Sequence, residues 1–314
     1  MLPLAAIVSS AIRQAPVRVT RPAEPERARY APVMPGASHD AAPMAEEERD
    51  FHEREIAAFF ASCAPPAGPE VPDGAPHEGP SYLLCFVNRS GSNLLAAALR
   101  ETGALGTPRE YLHPHDFVIP LSLERGCRDL RQYVRSMVRS TATPNGVFGT
   151  KVSAGQLACL WRERIVPDLL PDPRYVYVTR RDQVAQAVSF LIAAQTQRWS
   201  SELAGNGAEP AYDREAIAAH LAWIRESEAA FERFFAARGI QPLRFVYEEL
   251  EGSLERAVAA IAAAVGVPSP PEGVVARVRL RRQRTAVNDR FVARFLDQQG
   301  LPEPALGCTS DVPR

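Results

Sequence analysis

The stretch SYLLCFVNRSGSNLLAAALRETG, residues 81–103, constrains the fold more than any other part of the chain. An apolar run ends in a turn of Asn, Arg, Ser and Gly, and a helical pattern follows at once. Such a run reads as a buried strand, so the stretch is a strand–turn–helix. A tight turn of this kind aims backbone N–H groups at one spot, and the helix dipole adds partial positive charge there. Around Gly91, the side chains of Ser90, Ser92 and Asn93 add donors and Arg89 adds full charge. The turn suits a phosphate or sulfate group. It lacks the GK[ST] ending of the ordinary nucleotide loop, and no acidic strand end stands ready for magnesium, which disfavours metal-assisted phosphoryl transfer. A helix capped by serine needs no ligand, so the turn alone leaves both readings open.

The rest of the chain supplies the frame. Strands are predicted over 82–87, 146–152, 175–179 and 243–247, and helices over 92–102, 183–197, 213–238 and 253–265. Strands alternating with helices predict an α/β fold with a parallel sheet covered on both faces. Ligands of such sheets bind at the carboxyl ends of the strands. The functional loops are therefore expected after Val87, around Lys151 and after Thr179. Residues 79–300 form the expected catalytic body, and 301–314 a short tail. Residues 1–78 are rich in Pro and Ala, with one predicted helix over 44–63. There Phe51, Ile56, Phe59 and Phe60 recur at helical spacing, and the helix is expected to dock on the body. Residues 64–80 read as a linker. Residues 1–23 read as a tail or a targeting segment; without a basic region before the apolar run they are not a secretory signal.

At 314 residues and 46% hydrophobic, the chain has ample material for one large domain. Its 36 basic and 37 acidic residues leave a net charge of −1, which gives no electrostatic case for nucleic acid. The five cysteines are scattered without zinc spacing, so neither disulfides nor a metal site are expected. That usage fits a reducing, cytoplasmic setting. No window is apolar enough to span a membrane.

Three further features bear on chemistry. Lys151 is the sole lysine in a chain that otherwise uses arginine. It ends the run GVFGTKV beside the expected crevice, where a compact point charge serves an anion differently from a guanidinium. In YVYVTRRDQVAQAVSF, a strand runs into Arg180, Arg181 and Asp182. Arg180 as a fork and Ser189 as a hydroxyl can converge on a second phosphate, and Asp182 can cap the helix. Glu110, in the Pro- and His-rich loop GTPREYLHPHDF, is a candidate general base.

These pieces, in this order, resemble the PAPS-dependent sulfotransferases, and most nearly the bacterial trehalose 2-sulfotransferase-like group. The matching stretches are YLLCFVNRSGSNLLAAALRETGALGTPREYL, TPNGVFGTKVSAGQ, VTRRDQVAQAVSFLIAAQTQRW and RRQRTAVNDRFVARF. Together they span most of residues 80–296; residues 1–78 have no counterpart. The resemblance implies a P-loop-like three-layer fold with a central parallel sheet flanked by helices. It also implies 3′-phosphoadenosine 5′-phosphosulfate (PAPS) as sulfuryl donor, without metal. Arg89, Ser90, Gly91, Ser92 and Asn93 would hold the 5′-phosphosulfate, and Arg180 and Ser189 the 3′-phosphate. Glu110 falls on the family's catalytic glutamate. Arg282, Gln283 and Arg284, in the late RRQRT segment, are further phosphate contacts.

Two positions depart from the family. Asn93 stands where Thr is common, but its amide can still donate. Arg181 stands where Pro is common, and either adds charge near the 3′-phosphate or faces solvent. The expected reaction is in-line transfer to a hydroxyl of a carbohydrate or glycolipid, with Glu110 as base and Arg89 and Lys151 stabilising the leaving phosphate. Tyr111, His113, His115, Gln195, Gln197 and Trp199 are candidates to line the acceptor pocket. A non-sugar secondary metabolite as acceptor, a P-loop small-molecule kinase, and a binding protein without catalysis are the alternatives. Relatives of this kind suggest a homodimer. If the extension is only a tail, its deletion leaves turnover intact.

Overall fold

The computed structural model describes residues 44–63, 75–200, 204–250, 252–278 and 284–300. The expectations for residues 1–43, 64–74 and 301–314 lie outside them. In chain order the elements begin with helix α1 (Met44–Ser62), strand β1 (Ser81–Phe86) and helix α2 (Ser92–Glu101). A π-helical turn (Pro114–Val118) leads into α3 (Ile119–Arg125) and α4 (Leu130–Thr141). Then come β2 (Phe148–Val152), α5 (Ala154–Arg162), α6 (Ile165–Asp168), β3 (Arg174–Thr179), α7 (Gln183–Thr196) and α8 (Arg214–Arg238). The chain continues through β4 (Leu243–Val246), α9 (Tyr247–Leu250), α10 (Leu254–Ala264), a 3-10 turn (Val274–Arg277) and α11 (Ala286–Gln298).

The four strands form one parallel sheet in the order β2-β1-β3-β4. Side chains alternate between faces along a strand, and both faces are covered. Tyr82 and Leu84 of β1 join Val176 and Val178 of β3 on one face, under Leu95 and Leu99 of α2 and Val258 and Ile261 of α10. Leu83 and Cys85 join Tyr177 on the other, under Leu157 and Leu160 of α5, Val188 and Leu191 of α7, and Phe231 and Phe235 of α8. The result is a three-layer α/β/α sandwich. Burial on both faces explains why β1 is a continuous apolar run rather than an alternating one. Close packing also dictates Gly149: a Cβ there would lie 2.2 Å from Cζ of Tyr82, whose hydroxyl donates to Leu105 O at 2.6 Å.

From β1 the chain crosses to β2 on one side and later returns to β3 on the other. Parallel α/β sheets bind ligands at such a reversal, here the carboxyl ends of β1 and β3. The sheet register sets Phe86, Val178 and Phe245 side by side, and Val152 beside Cys85. The loops after all four strands therefore meet.

The predicted elements agree with the observed ones to within one or two residues. Tyr247 differs: it opens α9 instead of ending the last strand. Helices α3, α4, α5, α6, α9 and α11 went unpredicted. The expected docking of the extension helix is realised, because α1 packs on α5 and α8 and buries Ile56 in the core. Among the described residues, no helix is long and apolar enough to cross a membrane.

Candidate active site

The turn between β1 and α2 is a candidate anion cradle built from backbone. Arg89 (φ 66°) and Gly91 (φ 86°, ψ 3°) both take the left-handed conformation. A succession of this kind points amides inward as a nest. Gly91 is required twice over. Its φ disfavours any Cβ, and a Cβ there would lie 2.3 Å from Cδ2 of Tyr247. The aromatic ring at the start of α9 thus roofs the turn, which is why β4 stops one residue short of the expectation. Ser90 is fully buried, and its Oγ has no hydrogen-bond partner among the described residues.

Around the cradle stand three cations, Lys151 within β2 and Arg89 and Arg180 just past the ends of β1 and β3. The Arg89 Nε donates to Ser189 Oγ of α7 at 3.0 Å, and its Nη1 donates to Trp199 O at 2.6 Å. Arg180, at the end of β3, lays its guanidinium over the Tyr247 ring, 5.0 Å from the centroid. Its Nε lies 3.9 Å from Glu248 Oε1, beyond hydrogen-bond reach. Lys151, 6% exposed, donates from Nζ to Asn93 Oδ1 at 2.6 Å and sits 4.0 Å above the Phe86 ring. With its oxygen engaged, Asn93 keeps its amide N–H groups to donate.

Burial has an electrostatic consequence. Desolvation disfavours a charge taken out of water unless an opposite charge comes to meet it. Burial, with the Arg180 guanidinium nearby, lowers the Arg89 pKa to about 10. Burial likewise lowers that of Arg180, with Tyr247, Asp182 and Glu248 working the other way. Burial pushes Lys151 down to about 8; Glu110 opposes the shift, and Arg100 and Arg89 add to it. Perturbed groups converging in one crevice are the physical signature of a ligand site.

Glu110 approaches from the β2 side on a loop fastened residue by residue. Arg100 Nη1 donates to Pro108 O at 2.9 Å, and Lys151 N and Thr150 Oγ1 donate to Arg109 O at 2.8 and 3.1 Å. His113 N donates to Glu110 O at 2.9 Å, and the Tyr133 hydroxyl to Tyr111 O at 2.6 Å. The carboxylate itself accepts from Gln156 Nε2 at 3.1 Å. Gln156 completes the capping box of α5: its Oε1 accepts from Ser153 N at 2.9 Å, and its own N–H donates to Ser153 Oγ at 3.3 Å. One amide therefore caps the helix with its oxygen and aims Glu110 with its nitrogen. The S-x-x-Q pattern in VSAGQ was the available signal for it.

The other candidate residues divide. Asp182 caps α7 by accepting from Ala185 N at 2.9 Å, and Arg181 pairs with Glu249 at 2.6 Å on the solvent side. Arg284 donates to Asp289 Oδ1 at 2.6 Å and lies close enough to act on the Arg180 charge. Arg282 and Gln283 lie outside the described residues. Tyr111 is a core residue whose hydroxyl donates to Thr107 O at 2.6 Å. Gln195 spends both amide atoms on the Ala211 backbone, at 3.1 and 2.8 Å, and Gln197 donates to Ala194 O at 2.7 Å. Trp199 packs edge-on against Phe190, and it is its carbonyl, not its ring, that faces Arg89. A side-chain role for Gln195, Gln197 or Tyr111 in an acceptor pocket therefore has no support, since hydrogen bonds to the backbone hold all three. His113 accepts from Asp116 N through Nδ1 at 3.2 Å and caps the π-helical turn, while His115 Nε2 lies 3.4 Å from Glu55 Oε2 of α1.

Sequence reasoning missed Gln156, Tyr247 and Glu248. The Glu248 carboxylate accepts from Arg181 N and Asp182 N at 3.0 and 3.1 Å, holding the β3–α7 turn.

Comparison with known proteins adds the family. The Stf0 sulphotransferase family model matches residues 81–298. The chain is 31% identical to a trehalose 2-sulfotransferase of Mycobacterium tuberculosis, over 70% of this chain and 97% of that protein. It is 29% identical to one of Mycolicibacterium smegmatis, over 71% of this chain and 97% of that protein. A solved sulfotransferase from Alicyclobacillus acidocaldarius is 17% identical, with a TM-score of 0.39 over 71% of this chain and 96% of that one.

Proposed function

The chain belongs to the Stf0 sulphotransferase family, and we propose that it transfers a sulfuryl group from PAPS to a sugar hydroxyl, with Glu110 as general base. The observation that carries this reading is the buried convergence of Arg89, Arg180 and Lys151 on a backbone nest. Within it, Ser90 Oγ is buried without a partner. That donor set fits a nucleotide with anions at both ends, which supplies the activated sulfuryl group when bound.

The roles follow from position. Nest amides, Ser90 and Asn93 hold the 5′ end. Arg180 and Ser189, joined to the cradle through Arg89, hold the 3′-phosphate. Lys151 lies near enough to feel both the Arg89 and the Glu110 charge, so it stands between the leaving phosphate and the acceptor. Glu110, held by Gln156, takes the acceptor's proton as the hydroxyl attacks. Arg89 and Lys151 meet the negative charge that grows on the departing oxygen. A sugar acceptor rests on the two curated relatives, whose names give trehalose.

The direct test is calorimetric titration with adenosine 3′,5′-bisphosphate against adenosine 5′-phosphate, followed by a PAPS assay with trehalose. Binding that needs the 3′-phosphate is expected. Equal binding of the two nucleotides would remove the proposed donor. Arg180→Ala is expected to weaken the bisphosphate far more than the monophosphate; equal weakening places the 3′-phosphate elsewhere.

The pH dependence has a defined sign. Lys151 is charged below about 8 and attracts the anion; above that it loses the charge. Phosphate ionisation is complete by then, with a second pKa of roughly 6. Bisphosphate affinity is therefore expected to hold level to about pH 8 and to decline above it. Lys151→Met should flatten that decline, and a decline unchanged in this variant assigns it to another group.

A further inference from the structure

Helix α1 precedes residue 81, where the family match begins, yet it packs on the elements that hold Glu110. It lies on α5, which carries Gln156, and against the π-helical turn that follows the Glu110 loop. His52 is 5% exposed, and its ring meets that of His113 edge-on with centroids 5.4 Å apart. His113 in turn donates its N–H to Glu110 O. One turn along α1, Glu55 reaches His115 at 3.4 Å. Glu53 pairs with Arg162 of α5, and Ile56 enters the core. His52 and Glu55 thus grip the loop of the candidate base, and Glu53 the helix that aims it.

We propose that α1 is an acceptor-specificity element: through His52 and Glu55 it positions the Glu110–His115 loop and so selects the hydroxyl compound that reaches Glu110. This rests on Glu110 being the base of the proposed sulfotransfer. Among the described residues, α1 approaches the Glu110 side, while Arg89, Ser189 and Arg180 of the donor side are held by α7, β3 and α9. An effect of α1 is therefore expected on the acceptor and not on the donor. Burial lowers the His52 pKa to about 4, against the pull of Glu110. The imidazole is neutral at pH 7, so His52 acts on the loop by packing rather than by charge. The extension is then more than a tail, and its deletion is expected to cost turnover with the acceptor.

The test uses the full chain with His52→Ala, His52→Asn and, as a variant outside the core, Glu55→Ala. Steady-state kinetics with PAPS and trehalose are combined with bisphosphate titration and hydrogen exchange of residues 110–118. For His52→Ala, kcat/KM for trehalose is expected to fall by about 10-fold or more, because small displacements of a reacting group are costly. The KM for PAPS and the Kd for the bisphosphate stay the same, and residues 110–118 exchange faster. His52→Asn, which restores part of the buried side-chain volume against His113, recovers part of the loss. Glu55→Ala moves acceptor kinetics in the same direction by less. Donor and acceptor constants falling together, or a lower Tm with unchanged acceptor kinetics, overturns the proposal and leaves α1 as packing. If the wild-type chain does not sulfate trehalose, the acceptor reading has failed, and exchange decides: unchanged protection of 110–118 in His52→Ala and Glu55→Ala overturns the positioning role, and faster exchange supports it.

Discussion

Replacing Glu110 by glutamine leaves bisphosphate binding intact and lowers turnover by at least about 10²-fold, the range that general-base help supplies. The substitution is nearly isosteric, so the Gln156 contact (3.1 Å) can survive with the new amide oxygen as acceptor. What disappears is the ability to take a proton. The carboxylate also supports the Lys151 charge against burial, so the variant should titrate Lys151 at lower pH. The expected signature is a kcat loss with an unchanged Kd for the bisphosphate at pH 7 or below, measured by single-turnover sulfation and calorimetry. Turnover near the wild-type rate would take Glu110 out of the base role and send the search to His113.

Arg89→Ala should be the most damaging change on the donor side, costing on the order of 10²–10³ in rate, the scale for losing one preorganised donor at developing charge. Arg89 also has a structural part. Its hydrogen bonds to Ser189 Oγ and Trp199 O are the tie between the cradle, α7 and the segment after it. The alanine variant therefore loses bisphosphate affinity as well as rate. Arg89→Lys separates the two contributions: it keeps a charge but cannot span both partners, because lysine lacks the planar fork. An intermediate rate with weakened binding is expected for it. Lysine and alanine behaving alike would mean that the fork matters and the charge does not; wild-type behaviour of both would remove Arg89 from the site.

The two variants bear on different sides of the crevice, and the distinction was only half legible in the residues. Arg89, Lys151 and Arg180 could be singled out because each ends an apolar run, and a strand end in a parallel sheet is where a ligand binds. Burial on both faces made those runs continuously apolar and so visible. Acceptor residues carried no such mark. Gln195, Gln197 and Trp199 looked suited to a sugar because of their chemistry, yet the amides are committed to backbone hydrogen bonds and the indole to Phe190. Side-chain type says what a group can do, and only the fold says whether its hydrogen bonds are already used.

The sequence by itself determined the layered α/β class, the strand and main helix positions, and the tight turn after β1, because these depend on local periodicity and on chemistry within a few residues. The tertiary structure alone decided the rest. Tyr247 covers Gly91 from more than 150 residues away. Gln156 reaches Glu110 across 46 positions, and α1 reaches the same loop from outside the shared family region. Those contacts arise from chain crossovers and helix docking, whose energies lie in burial between distant segments and leave no pattern along the chain.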